Sequence, residues 1–353
     1  MLRWFVRAAL LLTLTINITA KVSADIPFPL DNIIAYRVFT GGQQILRLLD
    51  VDSGMRYTLT ENHGLSNEWS PDGNYIASFI PNPSTGSRIE IFGIGRDDVK
   101  FSPGVCFESP YASWMPNSAE LVFSGFIGSD CSSGIAQDLF RWQLSASNVN
   151  VNPAQILTEA PAIEIRPVVS PDGSQIAFLS RHWETSKIFE DIFVMTSDGG
   201  DIQRLTHDEQ FICCLEWSPN GEEILYHYRC DETFACRPTI ISVDKRTSAA
   251  LMGEPTMKEF NAAYSPDGRS LLIGVRGTYS RQPMIYRYDI STGQYFELSS
   301  GYWPDWSPDG MQILFMRDSI TGAGDLYVMN DDGTNIRQLT EGETIMSFAW
   351  RPR

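Results

Sequence analysis

The chain has 353 residues and a net charge of −16 at pH 7, and 43% of its residues are hydrophobic, which is enough for a packed core. An acidic balance of this size argues against nucleic acid and anionic membranes as partners. The 27 glycines and 20 prolines are spread along the chain, which indicates many short strands joined by turns.

The N-terminus has the layout of a secretory signal peptide. Arg3 and Arg7 precede an apolar run at residues 8–18, and small residues precede the expected cleavage point. The run is shorter than the roughly 20 residues that a membrane-spanning helix needs. We therefore expect residues 1–24 to be a signal peptide and the protein to be exported, either periplasmic or extracellular. An uncleaved N-terminal anchor is the alternative.

A short phrase, aromatic-Ser-Pro-Asp-Gly, recurs along the chain. Its prolines lie 42 to 55 residues apart, a period that suits a unit of four short strands. The copies occupy residues 69–73, 169–173, 217–221, 264–268 and 306–310, with a degenerate copy at 114–118 and a truncated one at 350–352. Because a catalytic site would occur only once, the phrase is interpreted as structural.

Each phrase is predicted to form a turn. Proline pre-sets φ at the first position, Asp or Asn hydrogen-bonds its own backbone at the second, and Gly takes the left-handed conformation that closes a hairpin. A second strand, a variable loop, a third strand, a polar turn and a short fourth strand ending in Leu-Thr are expected to follow. Four such strands make one propeller blade. The aromatic residue of each phrase is predicted to pack between blades: Trp69, Trp114, Trp217, Tyr264, Trp306 and Trp350, with Val169 the exception.

The two ends of the chain complement each other. Residues 31–60 supply a second, third and fourth strand without a first, whereas residues 347–352 have the pattern of a first strand. Together they predict a composite blade that closes the ring and removes two exposed sheet edges. We therefore predict an all-β, seven-bladed β-propeller that forms a single domain over residues 25–353. Six blades are the alternative, because the third copy is degenerate.

The repeat resembles a known family. The turn phrase, the strand at residues 176–178, the strand at 191–195 and the closing Leu-Thr are similar to the TolB-like propeller repeat. This repeat also occurs in the tricorn protease and in the propeller domains of prolyl-oligopeptidase-type enzymes, so the resemblance implies a fold and leaves function open. The resemblance covers nearly all of residues 31–352. The sequence differs from TolB, which has six repeats and a preceding α/β domain, and from the peptidases, which carry a hydrolase domain. We therefore expect that neither the function of TolB nor peptidase activity can be assigned directly to this chain.

Loops that join second to third strands, and one blade to the next, emerge on one face of a propeller, here called the loop face. The longest span residues 125–138, 180–190, 228–238 and 275–283, and function usually varies in such loops. All six cysteines are expected on this face or at its edge: Cys106, Cys131, Cys213, Cys214, Cys230 and Cys236.

An even number of cysteines in an exported chain favours disulfides. We expect Cys106 to pair with Cys131, and Cys230 to pair with Cys236 or with one of Cys213 and Cys214. A metal site is the alternative, although the spacing fits no zinc pattern.

Arginines recur where second strands end, at Arg181, Arg229, Arg276 and Arg317. One hypothesis is a cationic ring at the channel mouth that holds a carboxylate or a phosphate. The other, which we favour, pairs each arginine with an acidic residue at the start of the next strand, Arg181 with Asp191 and Arg317 with Asp325. Aromatic residues on the same face, Trp183, Tyr279, Tyr302 and Trp303, are candidates to stack on a sugar or to grip a peptide.

Catalytic motifs are sparse. The sequence has no Gly-x-Ser-x-Gly elbow, no His-Glu-x-x-His and no phosphate-binding Gly-Lys-Ser/Thr. His182 and His207, with Asp208 and Glu209 beside the latter, are weak candidates for a metal site. Carboxylates on the loop face could serve a glycosidase or a lyase: Glu164, Asp231, Glu232, Glu259 and Asp318.

These features predict a non-catalytic binding scaffold that uses its loop face to recognise a protein, a peptide or a cell-envelope polymer. We expect a monomer that has no cofactor and no membrane span after signal cleavage. The alternative is a stand-alone propeller enzyme, such as a polysaccharide lyase, glycosidase or peptidase-like hydrolase, with its site at the channel mouth.

Overall fold

The computed structural model of the chain consists of seven four-stranded antiparallel sheets. It describes residues 31–61, 68–80, 88–95, 99–101, 111–125, 137–144, 154–159, 162–184, 187–207, 212–228, 237–251, 257–277, 282–318 and 324–352. In these ranges no helix is long and apolar enough to cross a membrane. The predicted all-β, seven-bladed propeller is confirmed.

The blades are numbered along the chain. Blade one is composite, with β28 (Thr344–Trp350) beside β1 (Ile33–Thr40), β2 (Gln43–Asp50) and β3 (Arg56–Glu61). Blade two contains β4 (Glu68–Trp69), β5 (Tyr75–Ile80), β6 (Arg88–Gly93) and β7 (Val99–Phe101). Blade three contains β8 (Ala112–Trp114), β9 (Glu120–Gly125), β10 (Asp138–Gln143) and β11 (Gln155–Ile156). Blade four contains β12 (Ile163–Val169), β13 (Gln175–Glu184), β14 (Lys187–Thr196) and β15 (Gln203–Arg204).

The remaining blades repeat this order. Blade five contains β16 (Ile212–Trp217), β17 (Glu223–Tyr228), β18 (Arg237–Ser242) and β19 (Ser248–Ala250). Blade six contains β20 (Met257–Tyr264), β21 (Ser270–Gly277), β22 (Pro283–Asp289) and β23 (Gln294–Ser300). Blade seven contains β24 (Tyr302–Trp306), β25 (Gln312–Asp318), β26 (Gly324–Asn330) and β27 (Arg337–Gln338).

A buried serine organises the five repeat turns that keep the Ser-Pro-Asp/Asn-Gly phrase. Ser70 Oγ donates to Asp72 Oδ1 at 2.6 Å and accepts the backbone N–H of Tyr75 at 2.9 Å. The turn glycine has a positive φ, 74° at Gly173 for example, which glycine adopts without a steric penalty. The turns therefore have the predicted form, and their serine bonds recur at Ser170, Ser218, Ser265 and Ser307. The face that carries them, opposite the loop face, is called the turn face.

The composite blade closes the ring as predicted. Strand β28 pairs with β1 from Trp350 opposite Ile34 to Thr344 opposite Phe39. The degenerate third copy also forms a complete sheet, so the six-blade alternative is wrong. Successive first strands contact one another in a closed cycle, β28, β4, β8, β12, β16, β20 and β24, and so enclose the central channel.

The hydrophobic core is divided among the junctions between blades. Seven clusters of buried side chains each draw on two adjacent blades, one cluster at every junction. The repeat aromatic residues are buried in or beside these clusters, which confirms their predicted packing role. Three of the indoles also donate Nε1–H to a backbone carbonyl of the preceding blade: Trp69 to Ala349 at 3.3 Å, Trp114 to Glu68 at 3.0 Å and Trp217 to Val168 at 3.0 Å.

Replacing one of these indoles tests the junction bond. Trp217→Phe removes a buried hydrogen bond while keeping an aromatic ring, so we expect it to lower the free energy of unfolding by about 1 kcal/mol. The melting temperature should fall by about 2–4 °C in calorimetry. Trp306→Phe is the matched control, because Nε1 of Trp306 has no hydrogen-bond partner among the described residues. Equal losses in the two variants would mean that the indole bonds do not stabilise the junctions.

Candidate functional site

Bulges in the first strands shape the channel mouth on the loop face. Three non-glycine residues at the same repeat position, three places before the aromatic residue or Val169, have left-handed backbones: Arg166 (φ 56°), Cys214 (φ 59°) and Trp303 (φ 50°). The ladder to the second strand changes register at each of them. Bulges redirect side chains, and positive φ in a non-glycine residue costs about 1–2 kcal/mol. Strain of this kind concentrates at functional sites.

The mouth presents aromatic and cationic side chains. The guanidinium of Arg166 lies 3.9 Å from the ring centroid of Tyr111, which holds the equivalent position in blade three. Trp303 is 45% exposed, and its ring meets that of Tyr302 edge-on at 5.3 Å. Cys214 is also exposed. Trp303 and Cys214 are therefore displayed to solvent, whereas Arg166 is half-buried against Tyr111.

Polar side chains one level deeper cap the inner edges of the blades. A first strand is an edge strand, so its channel-side N–H groups have no ladder partner. The residue just before the repeat aromatic supplies an acceptor to the next blade. Ser113 Oγ accepts the N–H of Val169 at 3.0 Å, and Glu216 Oε1 accepts that of Tyr264 at 3.1 Å.

Carboxylates at this deeper level have raised pKa values. Burial raises the pKa of Glu68 to about 7, that of Glu216 to about 8 and that of Asp305 to about 6. The charge of Asp305 adds to the rise at Glu216, while backbone hydrogen bonds from Trp306 and Trp350 offset part of the rise at Asp305. These groups can therefore exchange protons near neutral pH. We call Glu68, Glu216 and Asp305 the channel carboxylates.

The ion pair predicted for Arg181 has a different partner. Nε and Nη2 of Arg181 donate to Glu190 Oε1 at 2.9 and 2.6 Å, and not to Asp191. Glu190 is directly opposite Arg181 in the ladder, so strand alternation directs Asp191 to the other face, where Arg204 Nη2 donates to it at 2.7 Å. Glu190 is 1% exposed and also accepts the N–H of Ile212 at 3.0 Å, which connects blades four and five.

The pair predicted between Arg317 and Asp325 is also wrong. The two residues are opposite each other in the ladder, yet Arg317 Nε donates to the carbonyl of Ser300 at 2.9 Å and Nη2 donates to Ser299 Oγ. Asp325 accepts instead from Thr340 Oγ1 at 3.2 Å. The arginine thus holds the connection between blades six and seven.

The other predicted site residues are only partly described. Trp303 lies at the mouth, whereas Trp183 and Arg276 are described only as backbone of β13 and β21, and Arg229 and Tyr279 lie outside the described residues. The ring of His182 packs against Phe189 at 5.7 Å, and His207 is exposed. The described part of the chain contains no group of three or more potential metal ligands. A ligand role for these residues, or a metal role for the histidines, stays a prediction.

The predicted disulfides and carboxylate pairs also stay predictions. Cys106, Cys131, Cys230 and Cys236 lie outside the described residues, as do Asp208, Glu209, Asp231 and Glu232, and only the backbone is described for Cys213 and Glu259. Glu164 is buried, and burial raises its pKa to about 7, with a hydrogen bond from Thr158 opposing the rise. Asp318 is exposed at the end of β25.

Sequence reasoning missed the channel carboxylates. Their signal is positional, because each stands three residues before a repeat proline, where the seven copies read Glu68, Ser113, Val168, Glu216, Ala263, Asp305 and Ala349. Arg166 and Cys214 also share a repeat position, which is two residues further from the repeat proline than the channel carboxylates. Aligning the seven repeats by their prolines identifies both the strained residues at the mouth and the channel carboxylates below them.

Comparison with known proteins supports the fold more than any function. No protein-family model matches the chain. Uncharacterized peptidase YuxL of Bacillus subtilis (strain 168) is 27% identical over 173 residues, which span 46% of this chain and 24% of that protein. The match thus covers about a quarter of the relative's length.

Solved structures share the architecture. The crystal structure of TolB from Acinetobacter baumannii matches with a TM-score of 0.54 and 16% identity, over 91% of this chain and 82% of that one. An oligogalacturonate lyase in complex with manganese matches with a TM-score of 0.63 and 13% identity, over 89% and 84% of the two chains. At such identities the likeness shows a TolB-like propeller fold, which binding proteins and enzymes share.

Breaking the Arg181 pair should destabilise the protein. Arg181→Met leaves the buried Glu190 carboxylate without its guanidinium, so we expect a loss of about 2 kcal/mol in chemical denaturation. Adding Glu190→Gln should recover part of the loss, because it removes the unpaired charge. Arg269→Met, at an exposed arginine, should change stability by less than about 0.5 kcal/mol. If Arg181→Met left the stability unchanged, Arg181 would be better explained as a residue available to bind a ligand.

Glu216 should make stability fall as pH rises. Its carboxyl has a pKa of about 8 when folded against 4.5 as the ordinary value, so the unfolded chain releases this proton first. Between about pH 4.5 and pH 8 the folded protein therefore holds a proton that the unfolded chain has released. The free energy of unfolding consequently falls as pH rises through this range. Glu216→Gln keeps the acceptor for Tyr264 and removes the charge. At pH 5 we expect the variant to have the same melting temperature as the parent chain. At pH 8.5 we expect its melting temperature to be about 2–5 °C higher than that of the parent chain.

The exposed Glu341→Gln serves as the control for that titration, with no such pH-dependent gain. If the difference between Glu216→Gln and the parent chain did not grow with pH, the carboxyl of Glu216 would not be the group that titrates.

Proposed function

We propose that this protein is an exported binding scaffold that recognises a protein or peptide at the loop-face mouth of its channel. The observation that carries the proposal is the set of left-handed bulges at Arg166, Cys214 and Trp303. Backbone strain is retained where it positions groups for a task, and here it positions the exposed Cys214 and Trp303 and the half-buried Arg166 at one level of the ring. The bulk of the propeller would act as a rigid support.

The chemistry of the mouth suits a polypeptide partner. Trp, Tyr and Arg are enriched at the energetic centres of protein interfaces, and Trp303, Tyr111 and Arg166 are these types. The channel carboxylates below the mouth would favour a basic group entering the channel and would disfavour a polyanion. Likeness in fold to TolB of Acinetobacter baumannii is compatible with this role and does not identify the partner.

Export and disulfides complete the proposal. Residues 1–24 would be removed as a signal peptide, leaving a monomer whose loop-face cysteines are paired. N-terminal sequencing of the secreted protein, and mass spectrometry of its unreduced peptides, would test these two points directly.

Peptide selection tests the binding site. Random peptides displayed on phage are selected against the chain from residue 25 to 353, and the affinity of the enriched peptides is measured by calorimetry. We expect enrichment of basic residues, and a loss of affinity of about tenfold or more in Trp303→Ala and in Arg166→Ala, in keeping with an interface hot spot. Met311→Ala is the control, since Met311 is 69% exposed on the turn face. Peptides that bind Trp303→Ala as well as the parent chain would contradict the proposed site.

An enzyme acting on a polysaccharide is the second candidate. Glu216 and Asp305 have pKa values of about 8 and 6, which suits general acid–base chemistry near neutral pH. Oligogalacturonides supplied with and without manganese would be assayed for unsaturated products by ultraviolet absorbance. Turnover that is lost in Glu216→Gln would support catalysis in the channel, and no turnover under either condition would leave the binding scaffold as the better account.

A further inference from the structure

The exposed large apolar side chains of the described mouth lie on two adjacent blades. Trp303 of blade seven is 45% exposed, and Phe39 and Met346 of blade one are each 44% exposed. Met346 is the extra residue of a bulge in β28, where the ladder to β1 shifts register. Tyr302 links the two blades, since it packs on the buried cluster between them and its ring meets that of Trp303. We call Phe39, Met346 and Trp303 the apolar arc.

Two channel carboxylates flank a short side chain below this arc. At the deeper level of the ring, Ala349 of blade one stands between Asp305 of blade seven and Glu68 of blade two. The three first strands are in contact, and the N–H of Trp350 donates to the carboxylate of Asp305. Ala349 is partly exposed, so its methyl group forms the floor of a recess between two acidic walls. We call Glu68, Asp305 and Ala349 the acidic recess.

The carboxylate of Glu68 lacks the partner that its equivalent has. Asp305 accepts a backbone N–H from the next blade, whereas no described residue donates a hydrogen bond to the half-buried carboxylate of Glu68. Arg37, the buried arginine of blade one, donates to two side chains of its own blade. A carboxylate that has lost part of its hydration and has no donor is stabilised by a cation. The recess therefore favours an incoming basic group.

We infer that the apolar arc and the acidic recess together bind an extended polypeptide segment in which a large apolar residue lies close to an Arg or a Lys. The inference rests on the proposed function and adds the partner's chemistry and the side of the mouth that it occupies. The apolar residue would pack on Trp303 and Met346, and the basic side chain would reach down to Glu68 and Asp305. A second copy of this chain is disfavoured by its net charge of −16, and a small amine would leave the arc uncovered.

Synthetic peptides of one design test this pairing on the full chain. Each peptide carries one Trp and one Arg separated by zero to three glycines, and affinities are measured by calorimetry. We expect one spacing to bind best. Replacing its Trp by Ser, or its Arg by the uncharged isostere citrulline, should weaken the dissociation constant by about tenfold. Undiminished binding of either replaced peptide, or no binding at any spacing, would overturn the inference.

Filling the recess locates the basic side chain. Ala349→Val should weaken binding of the best peptide by about tenfold, because the added methyl groups obstruct the space between the two carboxylates. Valine suits this position, since Val168 holds it in blade four. Ala263→Val fills the equivalent position on the other side of Asp305, so it is the matched control and should bind normally. Asp305→Asn keeps an acceptor and removes the charge, and it should weaken binding as much as Ala349→Val does.

Variants of the arc separate this inference from the proposed function. Met346→Ser should weaken binding of the best peptide, and Ile202→Ser is the control, since Ile202 is 48% exposed on the turn face. If the phage-selected peptides require Trp303 but bind Ala349→Val and Met346→Ser as tightly as the parent chain, the mouth is the binding site and the inference is wrong. If they do not require Trp303, the proposed function itself fails.

Discussion

The packing of each blade against its two neighbours is the interaction on which the rest of this propeller depends. Among the described residues no blade has a core of its own, since all seven clusters of buried side chains lie at junctions. A linear array built this way needs polar caps at its two ends. Pairing of β28 with β1 replaces the caps by a seventh junction, so the apolar faces of blades one and seven cover each other.

Closure also determines the chemistry of the channel. It turns seven edge strands inward, and their channel-side N–H groups need acceptors other than a further strand. Ser113 and Glu216 both meet this need, although only Glu216 is ionisable. Alanine at positions 263 and 349 shows that the fold tolerates the loss of the side-chain acceptor. A serine hydroxyl is enough at position 113, so the ionisable carboxyl of Glu216 is more than folding requires. A group that costs stability when it ionises is a sign of function.

Sequence patterns predicted the architecture well because the repeat encodes it locally. A serine, a proline, an aspartate and a glycine in order determine one turn, whatever surrounds them, and the aromatic residue before them determines the face that packs. The ends of the chain completed the count because a missing first strand is visible as a gap in the pattern.

Side-chain partners were predicted less well because they depend on register. Arg181 bonds Glu190 instead of its neighbour Asp191 because a shift of one residue along a strand changes the face. The bulges at Arg166 and Trp303 leave no mark in residue type, since neither is a glycine. The loops that hold most of the cysteines are the least repetitive part of the sequence, so the repeat gives no information about them.

The mouth and the channel carboxylates together limit what can bind. At the mouth, the guanidinium of Arg166 is engaged with the ring of Tyr111, and Trp303 offers an apolar surface. Below it, burial makes Glu216 and Asp305 costly to ionise, so each is stabilised by an incoming positive charge. A partner that inserts a basic side chain would lower both pKa values and release protons as it binds. Binding of such a partner should strengthen as pH rises, whereas the stability of the fold should fall, because the same carboxyl groups ionise in both cases. The opposite pH dependence therefore separates the effect of these groups on binding from their effect on folding.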